Sequence, residues 1–147
     1  MAKEKPIIFS AESVVAIFGG QKTQTRRVVK NENPRYRPGD ILWVKEPWGV
    51  LSDGKNIVYR AESQCWNSSP FVKWKSSMYM PRYASRLTVK VINVRRERLQ
   101  DISEEDAIAE GVATIDDYKT LWDKINGKKY PWESNPLVWV IEFERNS

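Results

Sequence analysis

Histidine is absent from these 147 residues, and cysteine occurs once, at Cys65. Without an imidazole there is no histidine general base, and without a second thiol there is no internal disulfide. The two shortages together exclude a zinc site built from its usual ligands. No apolar run approaches the roughly 20 residues that a membrane-spanning helix needs. The opening Met1-Ala2-Lys3-Glu4-Lys5-Pro6 lacks the hydrophobic core of a secretory signal. A cytoplasmic protein with no membrane partner, metal or cofactor is the expectation. Internal repeats and low-complexity tracts are missing too, so residues 1–147 read as one domain, large enough to bury most of its apolar surface without staples.

What the chain does have is basic charge, unevenly spread, with a net value of +5. Between residues 22 and 37 six basic side chains (Lys22, Arg26, Arg27, Lys30, Arg35, Arg37) meet one acid, Glu32. Between 101 and 117 there are seven acids and no base. Such separation favours an anionic partner on one face and repels it from another, and nucleic acid is the obvious anion.

Periodicity gives a mixed α+β order. Pro6-Ile7-Ile8-Phe9 reads as a short buried strand. Ser10 then offers a capping oxygen, and Ala11, Val14, Val15 and Phe18 fall on one helical face that ends at Gly19-Gly20. Strands are expected at 24–29 and 41–44, separated by a polar loop and the turn Pro38-Gly39-Asp40. A long strand is expected over 84–98. Its apolar phase switches from Leu87, Val89 and Val91 to Ile92 and Val94, which predicts a bulge near Val91-Ile92 and suits a small, strongly curved barrel. Ser103 and Thr114 cap two helices, the first stopping at Gly111 and the second at Asn126-Gly127. The almost continuously apolar run 137–143 reads as a strand central in the sheet or packed on both faces.

Between residues 45 and 83 the periodicity fades. Trp48, Tyr59, Trp66, Trp74, Tyr79 and Tyr83 are scattered among Lys45, Lys55, Arg60, Lys73, Lys75 and Arg82. Only 56–60 looks like a strand, the far arm of a hairpin turning at Ser52-Asp53-Gly54. Rings stack on bases while cations meet phosphates, so the interleaving fits a single-stranded nucleic-acid groove; large rings also fill cores and pin loops.

The densest chemistry lies in Gly19-Gly20-Gln21-Lys22-Thr23-Gln24-Thr25-Arg26-Arg27, at the turn after the first helix. As a strand it would put Thr23, Thr25 and Arg27 on one face and Lys22, Gln24 and Arg26 on the other, unless local twist brings Lys22 round to Thr25. A helix end followed by a solvated basic edge strand is the plain alternative. The pattern G-x-K-T-x-T-x-R, Gly20 through Arg27, resembles the signature of the ASCH family in the PUA-like superfamily, whose members are associated with RNA. Residues 80–86 and 99–107 resemble ASCH-like proteins of tailed phages and prophages, which would place the chain in a bacterial host cell.

The resemblance implies a small PUA-like curved β-barrel with flanking helices, to which residues at about 45–83 add an aromatic and basic insertion. It also implies a cleft lined by Lys22, Thr25 and Glu110. Thr23, Arg26, Arg27, Trp48 and Arg82 are the accompanying ligand-binding candidates. Some compact bacterial members are amidohydrolases that deacetylate 4-acetylcytidine with this lysine, threonine and glutamate; others are assigned RNA-binding or ribonuclease roles. Three functions therefore stand side by side. One is a module holding RNA, single-stranded nucleic acid or a nucleoside in a basic, aromatic-lined cleft. The others are a metal-independent amidohydrolase and a phage structural or host-interaction protein. Oligomeric state is not legible.

Overall fold

The computed structural model describes residues 4–62 and 69–146; Cys65 and Trp66 lie outside them. In chain order the elements are β1 (Glu4–Ile8), α1 (Ala11–Phe18), β2 (Gln24–Val28), β3 (Ile41–Lys45), β4 (Trp48–Leu51) and β5 (Ile57–Tyr59). There follow β6 (Val72–Lys75), β7 (Thr88–Arg98), α2 (Glu104–Ala109), α3 (Ile115–Asn126) and β8 (Leu137–Arg145). Short 3-10 turns occupy Ser77–Tyr79, Arg82–Ala84, Leu99–Asp101 and Trp132–Ser134. No helix among the described residues is long and apolar enough to cross a membrane.

Five strands form one sheet in the order β1-β3-β7-β8-β2, with β1 parallel to β3 and the other pairs antiparallel. The expected barrel is not closed: the fold is a small α+β domain whose sheet stays open between its end strands β1 and β2. Pro6 supplies a reason, because it brings no N–H to the free edge of β1 where a closing ladder would need one. Side chains span the gap instead. Arg27 Nη2 donates to the Ile8 carbonyl at 2.8 Å, and the Tyr36 hydroxyl donates to the Pro6 carbonyl at 2.8 Å.

β8 is packed on both faces, as its apolar run implies. Ile141 and Phe143 join Ile7, Phe9, Leu42, Val44, Val89 and Val91 in the main core, with Trp139 packed against it. Val138 and Val140 face the other way, into a core with Ala107, Tyr118 and Trp122 of α2 and α3. On β7 the register shifts between Val91 and Asn93, leaving Ile92 as the extra, exposed residue. The predicted bulge is therefore present, and it is what turns Val94 back toward the main core. The strand begins later than expected, at Thr88, because residues 82–84 wind into a 3-10 turn.

The 45–83 segment is more regular than its sequence implies. β4 pairs with β5 on one side and β6 on the other, making a three-stranded sheet. The hairpin through residues 52–54 is as expected, whereas β6 carries no readable alternation. Gly49 lets β6 approach. A Cβ there would lie 2.7 Å from Val72 Cγ1 and 2.9 Å from the Lys73 carbonyl oxygen. Trp48, Met80 and Ala84 form the core beneath this sheet.

Candidate functional site

Lys22 is fixed before its side chain is considered. α1 ends at Gly19, and Gly20 takes a φ of 80°, which glycine alone adopts at little cost. That reversal lets the Lys22 amide donate to Ala16 O at 3.1 Å, while the Thr23 amide donates to Ala109 O at 2.8 Å. Lys22 and Glu110 thereby form an isolated antiparallel bridge between the end of α1 and the end of α2. Gly111, at a φ of 98°, completes the junction; a Cβ on it would sit 3.4 Å from Lys22 Cβ.

The side chains continue this pairing. Lys22 Nζ lies 3.0 Å from Glu110 Oε1 and also donates to the Glu110 carbonyl oxygen at 3.1 Å. Glu110 Oε2 accepts from Arg26 Nη1 at 2.8 Å, so one carboxylate serves two cations. Arg26 is wholly enclosed. It also hydrogen-bonds Gln24 Oε1 and sets Nη2 3.2 Å from Asp106 Oδ2 and 3.7 Å from Glu97 Oε1. Arg95 clamps the rim of the network by pairing with Glu97, Asp106 and Glu142. The acidic run at 101–117 is thus not simply a repelling face: Asp106 and Glu110 are spent neutralising the basic run of β2.

Burial governs the titrations here. Desolvation lowers the Lys22 amine below its ordinary value; the Glu110 carboxylate pulls it back up, and Arg27 and Arg26 add to the fall. Burial, then the charge of Glu110, raises the Tyr118 phenol well above its usual value, against Arg26 and Arg27. Burial also raises the Asp106 carboxyl, but the Gln24 hydrogen bond and the charges of Arg26 and Arg95 outweigh it, and the net shift is downward.

On the opposite face of β2, Thr25 pairs directly with Ile141 and Arg27 with Trp139. Cross-strand partners share a face, so these four side chains belong to the side of the sheet that carries the main core. Lys22 reaches that side as well: Phe9 has Lys22 Nζ 5.8 Å and Arg27 Cζ 5.1 Å from its ring centroid. Strand-start twist therefore does carry the lysine round toward the Thr25 and Arg27 face. No described residue hydrogen-bonds the Thr25 hydroxyl, although Thr25 is buried.

A cleft of about 630 Å³ opens beside this face. Its cations include Arg27, Lys30 and Arg35, its amides Asn31, Asn33 and Asn126, and its rings Tyr36, Tyr130 and Trp139. Each ring carries a cation, with Arg35, Lys129 and Arg96 at 5.5, 5.7 and 5.7 Å from the centroids of Tyr36, Tyr130 and Trp139. Lys22, Thr25 and Glu110 do not line the cleft; Arg26 and Arg27 do.

The other sequence candidates sit apart from it. Thr23 is exposed just before β2. Trp48 is buried in the core of the small sheet, its indole N–H donating to Ser76 O at 3.2 Å. Arg82 is exposed, does not line the cleft and pairs with Glu4 at 2.6 Å. Sequence reading missed Tyr36, Tyr130, Trp139 and the asparagines as cleft residues. The one signal available was the register of β2 on β8, which sets Trp139 opposite Arg27.

No family model matches this chain, and no curated protein matches it either. Solved structures do. The hypothetical protein PH0355 is similar with a TM-score of 0.58 and 17% identity, over 98% of this chain and 100% of its own. The ASCH domain from Lactobacillus crispatus gives 0.55 and 12%, over 97% and 79%. Protein EF3133 from Enterococcus faecalis gives 0.53 and 11%, over 99% and 80%. These likenesses concern architecture and do not bear on a phage origin. At such identities the shared property is the path of the backbone, and by that measure this chain has the fold of an ASCH domain.

Proposed function

We propose that the chain is a PUA-like binding module that holds RNA, or a nucleobase or nucleoside, in the cleft beside β2. It would act as one domain, with residues at about 45–83 as an insertion. The observation that carries this reading is the cleft wall itself, which brings Arg27, Lys30 and Arg35 together with Tyr36, Tyr130 and Trp139. A base offers a flat π-face and polar edges on a sugar joined to an anion. Rings stack on the face, amides read the edges and guanidiniums meet the phosphate. In this reading Lys22, Arg26 and Glu110 position the module by locking α2 onto β2, which holds Arg27 over Phe9.

A second reading, amide hydrolysis on an acylated cytidine, has its own support in a buried lysine of lowered basicity beside a carboxylate. Thr25 Oγ1 would add to the acyl carbon and pass its proton to a neutral Lys22 amine. The C–N bond would then break, with that proton going to the departing amine; water would later release the acyl group from Thr25. It ranks second because Lys22 already donates to Glu110 twice, and a charged carboxylate at 3.0 Å opposes its neutralisation.

Equilibrium binding of labelled RNA and single-stranded DNA, alongside incubation with 4-acetylcytidine, separates the readings. The binding module requires affinity that falls with salt and drops in Arg27→Ala and Trp139→Ala. Turnover that vanishes in folded Lys22→Ala and Thr25→Ala would put the hydrolase in its place. Neither binding nor turnover leaves a structural or host-interaction role.

A further inference from the structure

Outside the cleft, two adjoining 3-10 turns, Ser77–Tyr79 and Arg82–Ala84, present aromatic rings to solvent. Met80 and Ala84 point inward, 2% and 1% exposed, and anchor the turns in the core beneath the small sheet. The residues just before them at the same spacing, Tyr79 and Tyr83, are 77% and 80% exposed. A tyrosine left so exposed forgoes most of the burial that makes aromatic residues stabilising.

Their neighbours include two cations, Lys45 and Arg82, the latter paired with the exposed Glu4 at 2.6 Å. Lys45 Nζ donates to the Met78 carbonyl at 2.9 Å and stands 5.3 Å from the Trp43 ring centroid; Arg82 stands 5.8 Å from the same centroid. Residues 45–86 carry seven basic side chains against three acidic ones. Three other rings of this segment each have a cation beside them, Arg60 over Trp74 at 4.1 Å, Arg86 over Tyr59 at 4.2 Å and Lys75 over Trp48 at 5.8 Å, while Phe71 is exposed. Tyr79 and Tyr83 have no such cation among the described residues.

We infer that Tyr79 and Tyr83, with Lys45 and Arg82, form a stacking platform for single-stranded nucleic acid. The exposed rings take the bases, and the cations beside them meet the phosphates. Charge decides the occupant. A protein docking through tyrosines wants a dry, charge-poor centre, whereas here a lysine and an arginine flank one tryptophan, Trp43 of β3, beside the turns. The platform shares no residue with the cleft, and it does not require the cleft to bind anything.

The test is fluorescence anisotropy of labelled 12-nucleotide RNA and DNA at low salt. Wild type is compared with Tyr79→Ala/Tyr83→Ala, Tyr79→Phe/Tyr83→Phe and Arg27→Ala/Trp139→Ala. The alanine pair weakens binding about tenfold or more, on the order expected for losing two stacked bases, and the phenylalanine pair stays close to wild type. The rings are exposed, so circular dichroism and melting temperature of the alanine pair stay unchanged. Loss of binding in Arg27→Ala/Trp139→Ala alone overturns the platform and leaves the cleft reading intact. Loss in the tyrosine pair alone supports the platform and counts against the cleft. Wild type that binds no strand overturns the inference, as does a tyrosine-dependent self-association without strand binding.

Discussion

Lys22 and Glu110, 88 residues apart, meet twice: their backbones form an antiparallel bridge, and their side chains form an enclosed ion pair at 3.0 Å. Each contact orients the other. The bridge brings the end of α2 to the start of β2, and the ion pair makes that junction costly to open.

The order of two destabilisations follows from who else holds each partner. Lys22→Met leaves Glu110 still paired with Arg26 at 2.8 Å, whereas Glu110→Gln strips a carboxylate from two enclosed cations. Breaking a buried pair by removing one partner costs about 3–5 kcal/mol. Glu110→Gln is expected in that range and Lys22→Met clearly below it, read as urea midpoints at unchanged slope. Equal losses would mean that Arg26 does not share the carboxylate.

The lowered basicity of Lys22 makes a pH prediction with a definite sign. Below its folded pKa the amine is charged in both states and contributes no slope. Between that value and 10.5, the unfolded chain binds more protons, so this contribution to stability grows as pH rises. Nζ-detected NMR should find one lysine titrating below the rest, absent in Lys22→Met. Because the Glu110 charge supports the ammonium, Glu110→Gln should move that titration lower still.

How much of this was legible depends on the range of the contacts involved. α1 and α3, the bulge at Val91 and Asn93 and the doubly packed β8 were readable because each is set by local spacing. The contact of Lys22 with Glu110 was reached only through a resemblance, since nothing local to either residue names the other. The cleft was largely unreadable. Tyr36 comes from a loop, Tyr130 from beyond α3 and Trp139 from β8, so no local spacing joins them. Trp48 and Arg82 were drawn to the ligand by composition, yet one is held in a core and the other pairs with Glu4 outside the cleft.

β6 escaped notice because what admits it is a gap in another strand. With Gly49→Ala, the new methyl meets Val72 Cγ1 at 2.7 Å, the Lys73 carbonyl oxygen at 2.9 Å and Trp74 Cε3 at 2.9 Å. Two of these belong to a packed ring and a backbone, so the strands must part. Overpacking of this kind costs about 1–3 kcal/mol. Hydrogen exchange should show faster exchange in β4 and β6, with the five-strand sheet little changed.

Tyr118 reads the network from beneath, its ring centroid 5.9 Å from the Arg26 guanidinium carbon. Burial, with the charge of Glu110, keeps its phenol protonated well past the pH at which an unfolded tyrosine ionises. Below about 10, the reference value for an unfolded tyrosine, the two states hold the same proton and no slope arises. As pH rises beyond that, the unfolded chain gives up a proton that the folded chain keeps, so stability is lost. Tyr118→Phe removes this linkage. Its denaturation midpoint should fall less steeply than wild type between about pH 10 and 11.5, the region just above the unfolded tyrosine value. An absorbance titration should show one fewer late-ionising phenol. Identical slopes for the two proteins would mean that Tyr118 ionises in the folded state as readily as in the unfolded chain, and that the enclosure around Glu110 is open to solvent.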